Sequence, residues 1–331
     1  MEHSVVSCLG SKINVITTDA LVANIGYSGK YPSPYPLATN VVSVCTGYGF
    51  VIALTDDGQV ICWGKNSVGQ CNVPPDLKHV VAISCGGHHT AALTDKGRVV
   101  CWGCNHHHQC VVSKKLKSVV AISCGAFNTV ALTDKGRVVC WGVRVCNFPD
   151  EFTNGNFVSI TSNEYNNAAI TSEGKVICWG TGCFGKCNVP VSLEKVVSVS
   201  CGPGHIAALT SDGKVVCWGS NSHHQCDVPA DLVEKVVSVK CGSRHTIVLT
   251  ESGRAVCWGD NQHGQCNVPL QIMDEPIAII EADHVYNIAI TVSGKIICWG
   301  SNGNDDMRFL DVEIFNEADN LQVQVGKVIL M

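Results

Sequence analysis

The chain has 331 residues, with 28 acidic against 23 basic side chains for a formal net charge of −5, 46% apolar content, 32 glycines, 6% aromatics and 21 cysteines. The near-neutral balance, with no block of Lys or Arg, excludes the broad electrostatic footprint of a nucleic-acid binder or a membrane-surface protein, and no apolar run approaches the ~20 residues of a membrane span. The opening MEHSVVSCLGSK carries a glutamate where a secretory signal carries its basic patch, so the expectation is a soluble, intracellular protein, cytoplasmic or nuclear.

All seven tryptophans fall on one ladder. Trp63, Trp102, Trp141, Trp179, Trp218, Trp258 and Trp299 are separated by 39, 39, 38, 39, 40 and 41 residues, each in the string Cys-Trp-Gly. Self-similarity at such a period marks a repeat architecture. In chain order, residues 1–40 form a degenerate unit: with Cys8 laid on Cys85, Thr17 falls on Thr94, Val22 on Val99 and Gly26 on Gly103, while Ile25 stands where the tryptophan belongs. Residues 41–300 hold seven in-register units. Each has an apolar run (VVAISCG, 80–86), a second run (TAALT, 90–94), a Gly turn (DKG), the string RVVCWG, a polar turn and Cys-Asn-Val-Pro or a variant. Runs of four to seven residues rich in Val and Ile and bounded by Gly, Asn, Asp or Pro leave no room for a 10-residue helix and predict short strands. Recurring turn glycines such as Gly58, Gly97, Gly136, Gly174, Gly213, Gly253 and Gly294 suit tight hairpins. Each unit is therefore an antiparallel sheet of three or four strands. In RVVCWG both alternating sets are apolar, so that strand is covered on both faces, as in the blade of a propeller. Residues 301–331 comprise an acidic, irregular stretch followed by LQVQVGKVILM, a strand pattern able to close the ring against the first blade.

The strings ISCGGHHTAALTDKGRVVCWG (83–103) and VKCGSRHTIVLTESGRAVCWGDNQHGQ (239–265) resemble the repeat of the regulator of chromosome condensation family. The compact period and recurring Asn-Val-Pro resemble its short-repeat branch. The resemblance implies an all-β, seven-bladed β-propeller, or eight blades if the degenerate N-terminal unit closes into the ring.

Seventeen of the 21 cysteines occupy three slots. Cys62, Cys101, Cys140, Cys178, Cys217, Cys257 and Cys298 precede the tryptophans; Cys85, Cys124, Cys201 and Cys241 precede the first-turn glycine; Cys71, Cys110, Cys146, Cys187, Cys226 and Cys266 precede the Asn-Val-Pro stretch or its variants. A recurring reduced cysteine is a small packing residue. The weak metal candidate is C-N-H-H-H-Q-C, where Cys104, His106, His108 and Cys110 are zinc-type ligands, with His107 between them, but the spacing matches no common zinc signature. A solvated turn is the competing reading, and no metal and no cofactor is expected. His89, His205 and His245 match a family histidine, and the slot's mixture with Phe50, Asn128, Asn166 and Tyr286 predicts partly buried residues satisfying backbone groups rather than catalysis. No nucleophile and base pair and no phosphate-cradling loop stands out, so no enzyme and no catalytic residue is expected.

The residues that break the repeat are the informative ones. The connection after the first strand of each unit lies on one rim and carries Tyr48, His88, Phe127, Glu164 with Tyr165, Arg244 and His284. Aromatics, arginine and histidine carry binding energy at protein interfaces. A second irregularity interrupts the surface near Arg144, Glu151 and Phe152. The reading is a monomeric, non-enzymatic interaction scaffold that presents its rim to a protein partner. The alternative is guanine-nucleotide exchange on a small GTPase, and a third class is a metal-binding or redox-sensing cysteine-rich protein.

Overall fold

The computed structural model describes residues 6–8, 12–16, 22–26, 41–142, 156–180, 185–272, 275–293, 295–300 and 310–312. Each repeat folds into an antiparallel meander of three strands. The N-terminal unit gives β1 (Val6–Cys8), β2 (Lys12–Ile16) and β3 (Val22–Gly26). The next three sheets are β4 (Val41–Gly47), β5 (Phe50–Thr55) and β6 (Val60–Gly64); β7 (Val80–Cys85), β8 (His89–Thr94) and β9 (Val99–Gly103); and β10 (Val119–Cys124), β11 (Asn128–Thr133) and β12 (Val138–Gly142). Then follow β13 (Phe157–Ser162), β14 (Asn166–Thr171) and β15 (Val176–Gly180); β16 (Val196–Cys201), β17 (His205–Thr210) and β18 (Val215–Gly219); and β19 (Val236–Cys241), β20 (His245–Thr250) and β21 (Ala255–Gly259). The last sheet has four strands, β22 (Ile277–Asp283), β23 (Tyr286–Thr291), β24 (Ile296–Gly300) and β25 (Leu310–Val312). Among the described residues there is no α-helix, and no helix long and apolar enough to cross a membrane.

The first strands stand side by side around an axis, from β4 through β7, β10, β13, β16 and β19 to β22. Seven sheets come from the seven in-register units, so the all-β propeller expected from the repeat is present. The N-terminal unit adds a sheet whose β1 touches both β4 and β22, the closing position named above as the condition for an eighth member of the ring. β25 falls inside the stretch expected to be irregular and pairs antiparallel with β24, Val312 opposite Ile296 and Leu310 opposite Cys298. The closing strand expected within 321–331 and the interruption near Arg144, Glu151 and Phe152 lie outside the described residues.

The double apolar alternation explains the packing. Along β5, Ile52 and Leu54 join Val80, Cys85, Ala92 and Trp102 of the following sheet, whereas Val51 and Ala53 turn the other way, beside Val41, Val44 and Trp63. The same division recurs between Ala91 and Leu93 of β8 and the sheet of Val119, Cys124 and Ala131. The second strand of each of the seven in-register sheets is thus buried on both faces, and the core is a series of dry layers between neighbouring sheets. At the start of the first strand in each of the seven in-register sheets the register slips by one residue, as between Val80 and Ala82. The skipped Val81 is left 57% exposed, which is how a bulge removes one residue from an otherwise paired ladder.

Two glycine types are demanded by this geometry. Gly97, at φ +70°, closes the hairpin between β8 and β9, and a Cβ there would lie 2.9 Å from the Ser118 backbone that begins the next sheet. Gly86 ends β7 where the chain passes the neighbouring first turn, and its Cβ would meet the Gly125 carbonyl at 2.5 Å. The rim around the axis is therefore tight at the level of backbone.

Candidate functional site

The connections between first and second strands gather at one end of the ring. Backbone bonds tie successive connections together: Tyr48 N donates to Gly87 O at 2.9 Å, Gly87 N to Ala126 O at 3.3 Å and Ser243 N to His284 O at 3.1 Å. On this repeated frame stand the side chains that do not repeat. Tyr48 packs edge-on against His88, with ring centroids 5.4 Å apart, and its hydroxyl donates to Glu164 Oε1, a residue 116 positions away in the sequence. Phe127 packs edge-on against His107, 5.2 Å between centroids. Ser243 Oγ and His284 Nδ1 are 2.6 Å apart, and the His284 backbone N–H donates to Asp283 Oδ1 at 2.7 Å. Tyr165 and Arg244 are exposed, while Tyr48, His88, Phe127, Glu164 and His284 are half-buried.

Below this mouth the first strands enclose a cavity of about 360 Å³, lined by β10, β13, β16, β19 and β22 and by the turns after them. Its walls are mostly small and polar, with Ser162, Ser200 and Ser243, and one ion pair, Lys240 with Glu281, lies against it. Burial raises the Glu281 carboxyl above its usual value, and Lys240 opposes the shift. Glu164 is also raised by burial, with His284 pulling it down. A carboxylate half removed from water and capped by a tyrosine hydroxyl is held in a fixed place at the mouth.

The polar turns contribute to the same end of the molecule. In the turns of the units of Trp63, Trp102, Trp218 and Trp258 an asparagine side chain accepts from the backbone of the following cysteine, as Asn66 Oδ1 does from Cys71 N at 2.9 Å and Asn105 Oδ1 from Cys110 N at 2.9 Å. A buried glutamine then offers its carbonyl to the next sheet. Gln70 O accepts from Thr90 Oγ1 at 3.3 Å and Trp102 Nε1 at 3.0 Å; Gln109 O from Thr129 Oγ1 at 3.0 Å and Trp141 Nε1 at 2.9 Å. Six of the ladder tryptophans are buried and Trp141 is half-buried. The turn was expected to be simply solvated, but its glutamine is fully buried, because its backbone bridges two sheets.

The metal candidate is not assembled. Among the described residues no group of three or more His, Cys, Asp or Glu is placed to hold a metal ion. Cys110 Sγ donates to Cys104 O at 3.3 Å, His106 and His108 are exposed, and His107 turns to Phe127. The repeat histidines differ from expectation. His89, His205 and His245 are completely buried and bond side chains of the next sheet: Thr129 at 3.0 Å, Thr246 at 2.8 Å and Asn287 at 2.8 Å. They sit between blades rather than at open backbone, so burial lowers all three, His89 to about 4 and His205 to about 3. The cysteines too do more than fill space, since Cys71, Cys226 and Cys266 are half-buried with thiols donating to carbonyls, and Cys140 is disulfide-bonded.

One rim residue escaped the sequence reading. In the unit of Trp179 the turn glutamine is replaced by Lys186, which is only 1% exposed. Its Nζ donates to Pro203 O at 2.6 Å and lies 5.9 Å from the Tyr165 ring centroid. A lysine in the slot held elsewhere by Gln70, Gln109, Gln225 and Gln265 was the available signal.

The model of the regulator of chromosome condensation repeat matches residues 41–70, 80–109, 119–147, 196–225 and 236–265. The chain therefore carries repeats of the regulator of chromosome condensation type. A search of curated proteins finds no match. Solved structures share the fold. The ectodomain of the receptor kinase CR4 from Physcomitrella patens is 23% identical, covering 79% of this chain and 74% of its own, with a TM-score of 0.61. Human WBSCR16 is 20% identical over 82% of this chain and 90% of its own, with a TM-score of 0.59. Prp20p from Saccharomyces cerevisiae, described with its binding to Gsp1p and histones, is 19% identical over 76% of this chain and 82% of its own, with a TM-score of 0.58. At these identities the likeness is one of fold.

Proposed function

We propose that this protein is a non-enzymatic interaction scaffold whose rim binds a protein partner. The observation that carries the reading is the contrast at the mouth: a repeated backbone ring holds Tyr48, His88, Phe127, Glu164, Tyr165, Arg244 and His284, a set that changes from unit to unit. Fold constrains the frame, so selection on the displayed side chains is free to follow a partner. Exposed Tyr165 and Arg244 flank half-buried aromatics, the pattern of anchor residues in protein interfaces. The family's propellers include yeast Prp20p, whose structure with Kap60 is known. The test is capture with the purified chain as bait, followed by cross-linking to locate the contact. Replacing Phe127 and Tyr165 with alanine is expected to abolish capture of the partner while the fold persists; undiminished capture removes the rim from the proposal.

Guanine-nucleotide exchange is the second reading, favoured by the shared fold with Prp20p and the binding to Gsp1p described for that protein. It predicts faster nucleotide release from a small GTPase at catalytic amounts of this chain. Absence of acceleration across a panel of GTPases rejects it and leaves the scaffold reading intact.

A further inference from the structure

In the units of Trp63 and Trp258 the cysteine before the tryptophan and the cysteine before the Asn-Val-Pro stretch share one turn, a relationship that packing alone does not require. In the last complete couple, Cys257 Sγ lies 3.4 Å from Cys266 Sγ. In the unit of Trp63, Cys62 Sγ donates to the carbonyl of Gln70, the residue before Cys71, at 3.7 Å, as Cys257 Sγ does to Gln265 O, the residue before Cys266, at 3.3 Å. In the unit of Trp141 the same slot, Cys140, is disulfide-bonded. The two sulfurs of Cys257 and Cys266 need to approach by only roughly 1.4 Å to bond.

We propose that Cys62 with Cys71 and Cys257 with Cys266 are oxidative modification sites, each closing into an intra-unit disulfide by exchange with a small-molecule disulfide. The thiolate of the half-buried Cys266 attacks one sulfur of the reagent, forming a mixed disulfide and expelling one small thiol. Cys257 then loses its proton and attacks the Cys266 sulfur, expelling the second. Two protein thiols give up two electrons and two protons, and one reagent disulfide becomes two thiols. The division of roles agrees with the first couple, where each thiol acts on the other so that Cys71 is lowered and Cys62 raised, as suits an entering and a resolving thiol.

The position of the couple gives the modification a consequence. Cys257 Sγ donates to Gln265 O at 3.3 Å, and that carbonyl also accepts from Asn287 Nδ2 at 2.6 Å and Trp299 Nε1 at 3.0 Å in the next sheet. Closing the couple removes one of three donors but fastens the turn covalently to β21. The carbonyl that joins neighbouring blades is then fixed by a bond instead of a thiol contact.

The full-length reduced chain is incubated with oxidised glutathione at increasing ratios, quenched, alkylated under denaturing conditions and mapped by peptide mass spectrometry. Cross-linked peptides joining Cys62 to Cys71 and Cys257 to Cys266 are expected before any other new linkage, with Cys85, Cys124, Cys201 and Cys241 still alkylated as thiols. Recovery of Cys71 and Cys266 as stable glutathione adducts, or as alkylated thiols throughout, overturns the proposal. A Cys266→Ser variant is expected to leave Cys257 reduced and the Cys62 to Cys71 linkage unchanged. If Cys257 instead couples elsewhere at the same ratio, the fold does not select the partner and the proposal fails.

Discussion

Trp102 donates its indole N–H to the carbonyl of Gln70, 3.0 Å away and 32 residues earlier, in the preceding unit. The relationship recurs from Trp141 to Gln109, Trp218 to Lys186, Trp258 to Gln225 and Trp299 to Gln265. The tryptophan is therefore both a wedge in its own blade and a fastener to the turn of the blade before it. A propeller of thin three-stranded sheets has no helices to clamp it, so such sequential bonds join neighbours that otherwise meet only through side-chain layers.

Trp102→Phe keeps most of the apolar volume and deletes the donor. Gln70 O retains the Thr90 hydroxyl and the Cys62 thiol, at 3.3 and 3.7 Å, so the cost is expected at about 1–2 kcal/mol, for one buried hydrogen bond plus a small void. Urea unfolding of the variant should show this as a lower midpoint. Trp141→Phe removes the same bond from a half-buried ring, where water can reach the freed groups, and is expected to cost less. Equal losses would mean that burial does not set the strength of the fastener.

The inter-blade histidines set an acid limit on stability. An unfolded histidine titrates near ~6.5, whereas burial holds His89 at about 4 and His205 at about 3. Above pH ~6.5 both are neutral whether folded or not. As the pH falls below that, the unfolded chain takes up protons that the folded chain refuses, so stability declines by about 1.4 kcal/mol per pH unit for each histidine until the folded values are passed. Denaturant midpoints at pH 7, 6 and 5 should fall accordingly. His89→Asn, a residue this slot accepts as Asn128 and Asn166, should flatten the slope, and an unchanged slope would locate the acid sensitivity elsewhere.

His108 and His224 adopt φ of +60° in a turn slot where Gly69, Gly185 and Gly264 have φ of +78°, +71° and +74°. A side chain with Cβ is strained there, by roughly 1–2 kcal/mol, although glycine returns part of that through the greater freedom of its unfolded chain. His108→Gly is expected to stabilise by about 0.5–1 kcal/mol. His224→Gly should gain less, because His224 Nδ1 also bonds Asp227 Oδ2 at 2.8 Å. Thermal unfolding decides it: a lower midpoint for His108→Gly would show that the imidazole makes a contact worth more than the backbone strain.

The sheets were legible because the repeat states its turns and both apolar alternations in every unit, so seven copies agree on one answer. The identity of the rim connections was legible for the same reason. What the sequence did not reveal depends on curvature: the Tyr48 hydroxyl reaches Glu164 across the mouth only because the ring brings distant units face to face. The completeness of His89's burial, and the burial of Gln70, were missed on other grounds. Both are polar residues in apparent loops, and only the stacking of the next sheet removes them from water. The sulfur couples were hidden because two slots nine residues apart read as separate packing positions until the turn folds back on its strand.

Lys186 gives the sharpest test of a departure from the repeat. Its carbonyl performs the shared task, accepting from Trp218 Nε1 at 2.8 Å, so only the side chain is exceptional. The ammonium donates to Pro203 O at 2.6 Å, and the Asn166 amide oxygen, in the orientation that satisfies both of its polar atoms, lies 2.8 Å from it. This buried cation is one of the groups that lower His205, after burial itself and His245. Lys186→Gln restores the residue of the other turns and removes the charge. His205 should then titrate at a higher pH, though still well below an exposed histidine, because burial remains the main cause. With the folded value raised, the loss of stability on acidification ends sooner, and the variant should unfold less readily at low pH relative to its own stability at pH 7. Imidazole titration followed by NMR checks the first effect and denaturant midpoints check the second. An unmoved His205 titration would show that the ammonium is screened from the imidazole by the carbonyl and amide that hold it.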